Sequence, residues 1–291
     1  MRAAAILGPN AAESQLQPFR ECGGPVKVAD SPENADAALI LGGDGTIHRQ
    51  LPHLAHSGIP MLPVPHGSGN DFARMLGLLR PADALAAWRK FAAGADNVRD
   101  VDLGVIRALP HETATGGRGR PPHAYFCCVG GVGVDAEANR RANAMPAWLR
   151  GYGGYVLAAL AAITTFRPCE FRITAQGAEA PPGEYAGRAW MVAFANASAY
   201  GAGMKIAPRA LTDDGRLDVC LIREASRLRL ARCLHRVYSG RHVEMPEVSY
   251  YHAESVRIGT AMPLDVYADG EYVCQTPIEV SVERRALRVI A

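Results

Sequence analysis

A doubly wound α/β half followed by an antiparallel β-rich half is the architecture expected of these 291 residues. Up to about residue 100, short apolar runs alternate with helix-compatible stretches, the rhythm of a parallel sheet wound with helices. Two of the apolar runs end in glycine-rich loops, where the carboxyl ends of parallel strands present backbone N–H groups to a ligand. Beyond Asp100 many short strand-like runs between turn residues take over, which suits an antiparallel sandwich or barrel.

In order, strands are expected at Ala3–Leu7, Val26–Ala29, Ala37–Leu41 and Pro60–Pro65. Helices are expected between and after them at Ala11–Glu21, Ile47–Ala55, Asp71–Leu79 and Pro81–Ala93. Pro81 stands where a first helical turn tolerates it, whereas Pro52 should interrupt its helix. The second half offers strand-like runs at Val101–Ala108, Ala124–Val129, Cys169–Ala175, Ala189–Ala195, Leu217–Ile222, Ser255–Gly259, Leu264–Ala268 and Ile278–Val282. A helical hairpin is expected near Ala136–Thr165 and a further helix near Leu228–Tyr238. Gly130-Gly131-Val132-Gly133-Val134-Asp135 reads as a turn, and Leu109 to His123, rich in Gly and Pro, as a hairpin loop. The domain boundary falls between residues 99 and 100, with the last residues free to pack back on the first domain.

Composition narrows the function classes. The chain is 48% hydrophobic and 21% charged, which is globular, and its net charge of +2 with no basic run among aromatics argues against nucleic acid as a partner. Seven scattered cysteines without a Cys-x-x-Cys pair suit a reducing cytosol and speak against zinc. The apolar start is too short for a signal peptide, and Tyr155 to Phe166 falls well below the roughly 20 residues of a membrane span, so a cytoplasmic or peripheral protein is expected.

The two glycine-rich loops carry the chemistry. In Gly42-Gly43-Asp44-Gly45-Thr46 and Gly67-Ser68-Gly69-Asn70, glycines let backbone approach an anion, while Thr46, Ser68 and Asn70 can add donors for phosphate. Asp44 would be repelled by phosphate unless a cation lay between, which points it at Mg²⁺. Asp71 can cap the helix behind the second loop. Asp269-Gly270-Glu271 follows a strand-like run, and a glycine between carboxylates suggests a bend that exposes both, although such a tripeptide is more often a plain hairpin turn. Asp213 and Asp214 before Gly215 could hold a hard cation or form a charged turn. Arg227, Arg229, Arg232 and Arg236, interleaved with Leu228, Leu230, Leu234 and Val237, form a basic amphipathic stretch that fits either a solvated face or an anionic membrane surface.

Gly42-Gly43-Asp44-Gly45-Thr46 followed by Pro65-His66-Gly67-Ser68-Gly69-Asn70-Asp71-Phe72-Ala73-Arg74 resembles the catalytic domain of the diacylglycerol kinase superfamily, which includes bacterial lipid kinases, sphingosine kinases and ceramide kinases. The first motif is shared with NAD kinases and the second has the lipid-kinase form. Ala193 to Asn196, Met204 to Val219 and Ala268 to Glu271 agree in order, so the likeness spans residues 37 to 271. It implies a Rossmann-like first domain of NAD kinase/diacylglycerol kinase type, a β-sandwich second domain, and transfer of the γ-phosphoryl group of ATP to a hydroxyl of a diacylglycerol-like or sphingoid lipid. It further implies that Gly42, Gly43, Asp44, Gly45, Thr46, Gly67, Ser68, Gly69 and Asn70 hold Mg²⁺ and ATP. By the same likeness Glu271 is the catalytic base and Asp269 its partner on metal or substrate, and Asp44 belongs to the catalytic set. A structural Mg²⁺ would sit at Asp214 with the carbonyls of Leu211 and Arg216. The partner implied is a lipid at the membrane surface, met through the Arg227–Arg236 region; oligomeric state, including a homodimer, is left open. The chain departs from the family at His48 and Arg49, where an Asn-Glu pair is usual, at the blurred Gly8-Pro9-Asn10-Ala11 loop, and at Cys128, where Asn is expected. These departures keep two rivals in play, an NAD kinase-like enzyme and a nucleotide or lipid sensor without turnover.

Overall fold

Ala37–Gly42 is buried at every position, as an apolar run without polar alternation must be when both faces of its sheet are covered. It belongs to the first of two compact units into which the chain divides: Met1–Leu103 with Arg284–Ala291, and Gly104–Glu283. The computed structural model describes residues 1–110, 123–146, 152–201 and 203–291.

The first unit contains β1 (Ala3–Leu7), α1 (Gln17–Gly23), β2 (Val26–Val28), β3 (Ala37–Gly42), α2 (Asp44–Leu54), β4 (Met61–Pro65), α3 (Asp71–Met75), α4 (Pro81–Ala92) and the start of β5 (Val98–Ala108). Its sheet runs β2, β1, β3, β4, all parallel, and continues to the last strand of the chain, where Val289 pairs with Met61. Leu16, Phe19 and Trp88 from α1, the turn before it and α4 cover one apolar face, and the Trp88 indole N–H donates to the Phe19 carbonyl at 3.0 Å. The closing segment is fastened by the Arg285 N–H to Asp102 Oδ1 (2.7 Å), the His56 N–H to the Ala286 carbonyl (2.8 Å) and the Ala291 N–H to the Asn97 carbonyl (3.0 Å).

The second unit contains β6 (His123–Phe126), β7 (Val129–Gly133), α5 (Val134–Ala144), α6 (Tyr152–Thr165), β8 (Cys169–Gln176), β9 (Glu184–Ala195), β10 (Leu217–Arg223), α7 (Arg227–Val237), β11 (Val248–Ala253), β12 (Ser255–Thr260), β13 (Asp265–Ala268), β14 (Glu271–Gln275) and most of β15 (Ile278–Ile290). It is a sandwich-like antiparallel assembly in which the twelve-residue β9 changes partners. The first half of β9 pairs with β8, and its second half lies between β7 and β10. The strands enclose a core that includes Phe126, Phe171 and Phe194. Among the described residues no helix is long and apolar enough to cross a membrane.

Several elements differ from expectation, each for a physical reason. Gly130 to Gly133 is not a turn but the buried strand β7, running straight into α5; a Cβ on Gly130 would meet the Phe194 ring at 2.2 Å, so glycine here makes room for an aromatic core. Pro52 does not interrupt α2, because it falls in the last turn, where its missing N–H removes a single helical hydrogen bond. α3 stops at Met75 because Gly77 takes positive φ (81°) and begins a turn. β11 and β14 were not anticipated, and β15 extends eight residues beyond the expected Val282. In α7, Leu230, Cys233 and Val237 turn into the core and Leu234 lines an apolar cavity, leaving Leu228 as the exposed leucine of the basic stretch. Most of the expected loop from 109 to 123 lies outside the described residues.

Candidate functional site

The loops singled out for nucleotide binding meet at the carboxyl ends of β3 and β4. Gly42 closes β3, Gly43 is the extended residue at the head of α2, and Asp44, Gly45 and Thr46 form that helix's first turn. The two loops touch through glycine: a Cβ on Gly67 would lie 2.5 Å from the Gly43 Cα, so neither position has room for a side chain. Asn70, at φ 56°, staples its own loop, accepting the Gly67 N–H on Oδ1 and donating from Nδ2 to the Gly67 carbonyl, both at 2.7 Å. The Asn70 amide, expected as a phosphate donor, is thus engaged in shaping the loop. Thr46 is buried, with its side chain packed on Gly8 and Gly42, so it braces the strand ends. Asp44 bridges the loops by accepting the Phe72 N–H at 3.1 Å, which places negative charge at the amino end of α3. Asn70, not Asp71, holds the cap position of α3. The Arg74 Nε–H donates to the Gly69 carbonyl at 2.9 Å. The Thr46 N–H donates to the Gly43 carbonyl at 2.9 Å, so exposed Ser68 and the N–H groups ahead of Thr46 form the donor set on offer to an anion.

The acidic segment of the second unit is a two-residue hairpin. Ala268 pairs with Glu271, and Asp269 and Gly270 between them both take positive φ (50° and 83°), as a type I′ turn requires. Asp269 is buried and locks the hairpin down: Oδ2 accepts the Cys127 N–H at 2.9 Å and Oδ1 the Cys128 N–H at 2.8 Å. The Gly270 carbonyl accepts from Asn143 of α5 at 2.8 Å. Glu271, half-buried at the start of β14, is therefore presented by a turn anchored on both sides.

At the acidic turn before β10, Asp214 Oδ1 accepts the Arg216 N–H at 3.1 Å, while the Arg216 guanidinium goes to Glu179 at 2.6 Å. Leu211 is exposed. Sequence reasoning passed over Asp218 next to it. This carboxylate is buried; its Oδ1 bonds the Tyr250 hydroxyl and lies 3.5 Å from His252 Nδ1, while Oδ2 has no hydrogen-bond partner. Burial raises its pKa, the Tyr250 and His252 contacts pull it back down, and the Asp214 charge adds to the rise. Two acids that repel each other beside an orphaned oxygen are a donor set that suits a hard cation.

A third feature was not legible at all. α5, α6, α7, β9 and β10 border an apolar cavity, partly open to the surface, lined by Ala138, Ala159, Ile163, Met191, Leu230 and Leu234. At its polar end Asp135 accepts the Tyr155 hydroxyl at 2.8 Å and also bonds the Tyr200 hydroxyl. Burial pushes the Asp135 carboxyl up, partly offset by the two hydroxyls, and burial with the Asp135 charge pushes both tyrosines well above their ordinary range. No spacing code links Asp135, Tyr155 and Tyr200; the packing of α5 on α6 unites the first two, and the segment after β9 brings in Tyr200.

Residues 7–106 match the family model for the diacylglycerol kinase catalytic domain, and residues 128–291 that for the YegS C-terminal NAD kinase beta sandwich-like domain. A diacylglycerol kinase of Mycobacterium tuberculosis strain H37Rv is 34% identical over 263 residues, covering 89% of this chain and 77% of that one. A diacylglycerol kinase of Bacillus subtilis strain 168 is 25% identical over 257 residues, covering 88% and 77%. The crystal structure of a diacylglycerol kinase from Bacillus anthracis str. Sterne shares the fold, with a TM-score of 0.66 at 18% identity and coverage of 99% and 96%. With both halves matched by these models and a relative 34% identical over most of both chains, the chain belongs to the diacylglycerol kinase family, with a YegS-type sandwich-like C-terminal domain.

Proposed function

We propose that this chain is a lipid kinase that transfers the γ-phosphoryl group of Mg²⁺-ATP to a hydroxyl of a diacylglycerol-like or sphingoid lipid. The observation that carries the reading is the apolar cavity with Asp135, Tyr155 and Tyr200 at its polar end, in the same unit as the Asp269–Glu271 hairpin. Apolar walls with a few convergent polar groups suit a molecule with a hydrocarbon tail and a hydroxylated head, and they suit a dinucleotide such as NAD poorly. Bound Mg²⁺-ATP supplies the phosphoryl group and neutralises the charge that develops as it moves.

The chain's own residues do the rest. The Ser68 hydroxyl and the amino end of α2 bind phosphate, and Asp44, carrying negative charge among these donors, holds the cation. Glu271 accepts the lipid hydroxyl proton as the new P–O bond forms, and Asp269 positions it by seating the hairpin on Cys127 and Cys128. Asp214, with the carbonyls of Leu211 and Arg216, holds a structural Mg²⁺ near Asp218. Exposed Leu228 and the arginines of α7 bring the protein to an anionic membrane surface, where its substrate resides.

The test is transfer of labelled γ-phosphate from ATP with Mg²⁺ into an extracted lipid mixture, beside Asp44→Ala and Glu271→Ala. Label in a lipid that disappears in both variants is expected. Label in NAD and no lipid would replace this reading with an NAD kinase, and ATP binding without label anywhere would replace it with a sensor.

A further inference from the structure

Cys127 and Cys128, adjacent in the turn between β6 and β7, meet Asp269 from a hairpin 141 residues further on. The two sulfurs are 4.0 Å apart, and Cys127 Sγ is 3.4 Å from Asp269 Oδ2. All three ligand atoms lie within 4.8 Å of one another, and all three residues are buried. Tetrahedral zinc bonded to two sulfurs at about 2.3 Å and a carboxylate oxygen at about 2.1 Å needs a sulfur–sulfur edge of about 3.8 Å and a sulfur–oxygen edge of about 3.6 Å. The sulfur–sulfur distance and the Cys127–carboxylate distance fall within a few tenths of an ångström of these edges, and Cys128 Sγ lies within 4.8 Å of the carboxylate.

We infer that Cys127, Cys128 and Asp269 form a binding site for a thiophilic d¹⁰ divalent cation, zinc or cadmium, with a fourth position open to water. Two sulfur donors reject Mg²⁺ and Ca²⁺, which prefer all-oxygen shells, so this site does not compete with the cation chemistry of ATP. The carboxylate is oriented beforehand by the Cys127 and Cys128 N–H groups, and the Cys127 thiol already points at its Oδ2, the direction from which a metal replacing that thiol proton would bond. Binding displaces both thiol protons to solvent, leaving two thiolates and one carboxylate around the cation. Rules of cysteine spacing miss the site because they look along the chain, and here the third ligand arrives from a distant hairpin. Cys128 is also a position at which the chain departs from the residue expected by likeness. The inference does not rest on the kinase reading. It bears on that reading only because Asp269 seats the hairpin that carries Glu271.

The experiment uses the full chain, reduced and metal-free, incubated to equilibrium with cadmium. The ultraviolet cadmium–thiolate band should saturate at one equivalent in the wild type and in Cys220→Ser, and be absent from Cys127→Ser and Cys128→Ser, with thermal melts establishing that each variant is folded. Calorimetry of zinc binding in buffers of different ionisation enthalpy should count about two protons released per cation. X-ray absorption of the zinc-loaded wild type, which needs no variant, should find two sulfur neighbours at about 2.3 Å. Folded wild type without the band, a band that persists in both cysteine variants, or a zinc shell without sulfur would overturn the assignment.

Discussion

A single methyl group decides whether the two glycine-rich loops can close on each other. Gly67→Ala would drive Cβ into the Gly43 backbone, which cannot rotate away as a side chain could. We expect a loss of about 1–3 kcal/mol in stability and a larger loss of nucleotide affinity, read by urea unfolding and by ATP titration. Glu271→Gln keeps the size of the side chain and removes its basicity. We expect kcat for lipid phosphorylation to fall by about 10²–10⁴ with the melting temperature nearly unchanged, and a variant of undiminished kcat would dismiss Glu271 as the base. At this scale the sequence named loop residues that the structure brings together, and misjudged some of their local contacts. Gly42 to Thr46 and Gly67 to Asn70 do converge, because loop motifs encode backbone approach. That Asn70 grips its own loop and that Thr46 faces inward are set by partners such as Gly8, invisible in a linear pattern.

At the scale of elements, the parallel half was legible because its signals are local: apolar runs of five or six residues, proline at the start of α4, glycine after α3. The helix pair α1 and α4 depends on Trp88, fully buried with its indole N–H satisfied by Phe19. Trp88→Ala should cost about 3–5 kcal/mol, seen as a lower denaturant midpoint without a change of fold. The antiparallel half was harder because its glycines mislead. β7 is two-fifths valine and three-fifths glycine. Glycine reads as a turn until the Phe194 ring lying over Gly130 is known. β14 hid for a similar reason, since Asp269-Gly270 advertises a turn more strongly than Glu271 to Gln275 advertises a strand.

For the molecule as a whole, one contribution to acid stability comes from a buried histidine. His242 is fully buried, with Nε2 donating to the Ile206 carbonyl at 3.0 Å, and burial lowers its pKa from the ordinary 6.5. The unfolded chain therefore takes up this proton first, and stability is lost as pH falls below 6.5 towards the lower folded value. Asp135 and Asp218, raised by burial, act in the opposite sense, losing stability as pH rises above the ordinary carboxylate value. The histidine contribution is isolated by difference: wild type should lose stability relative to His242→Gln below pH 6.5, while the gap stays constant above it. The two-unit organisation carries a consequence of another kind, for biosynthesis. Because residues 284–291 belong to the first unit, the ribosome finishes everything the second unit needs before it delivers the last strand of the first. Until Leu287, Val289 and Ile290 emerge, the nascent first unit lacks its strand beside β4 and offers an open sheet edge, so a protease pulse on chains ended at residue 283 and released from the ribosome should cut that unit and spare its neighbour.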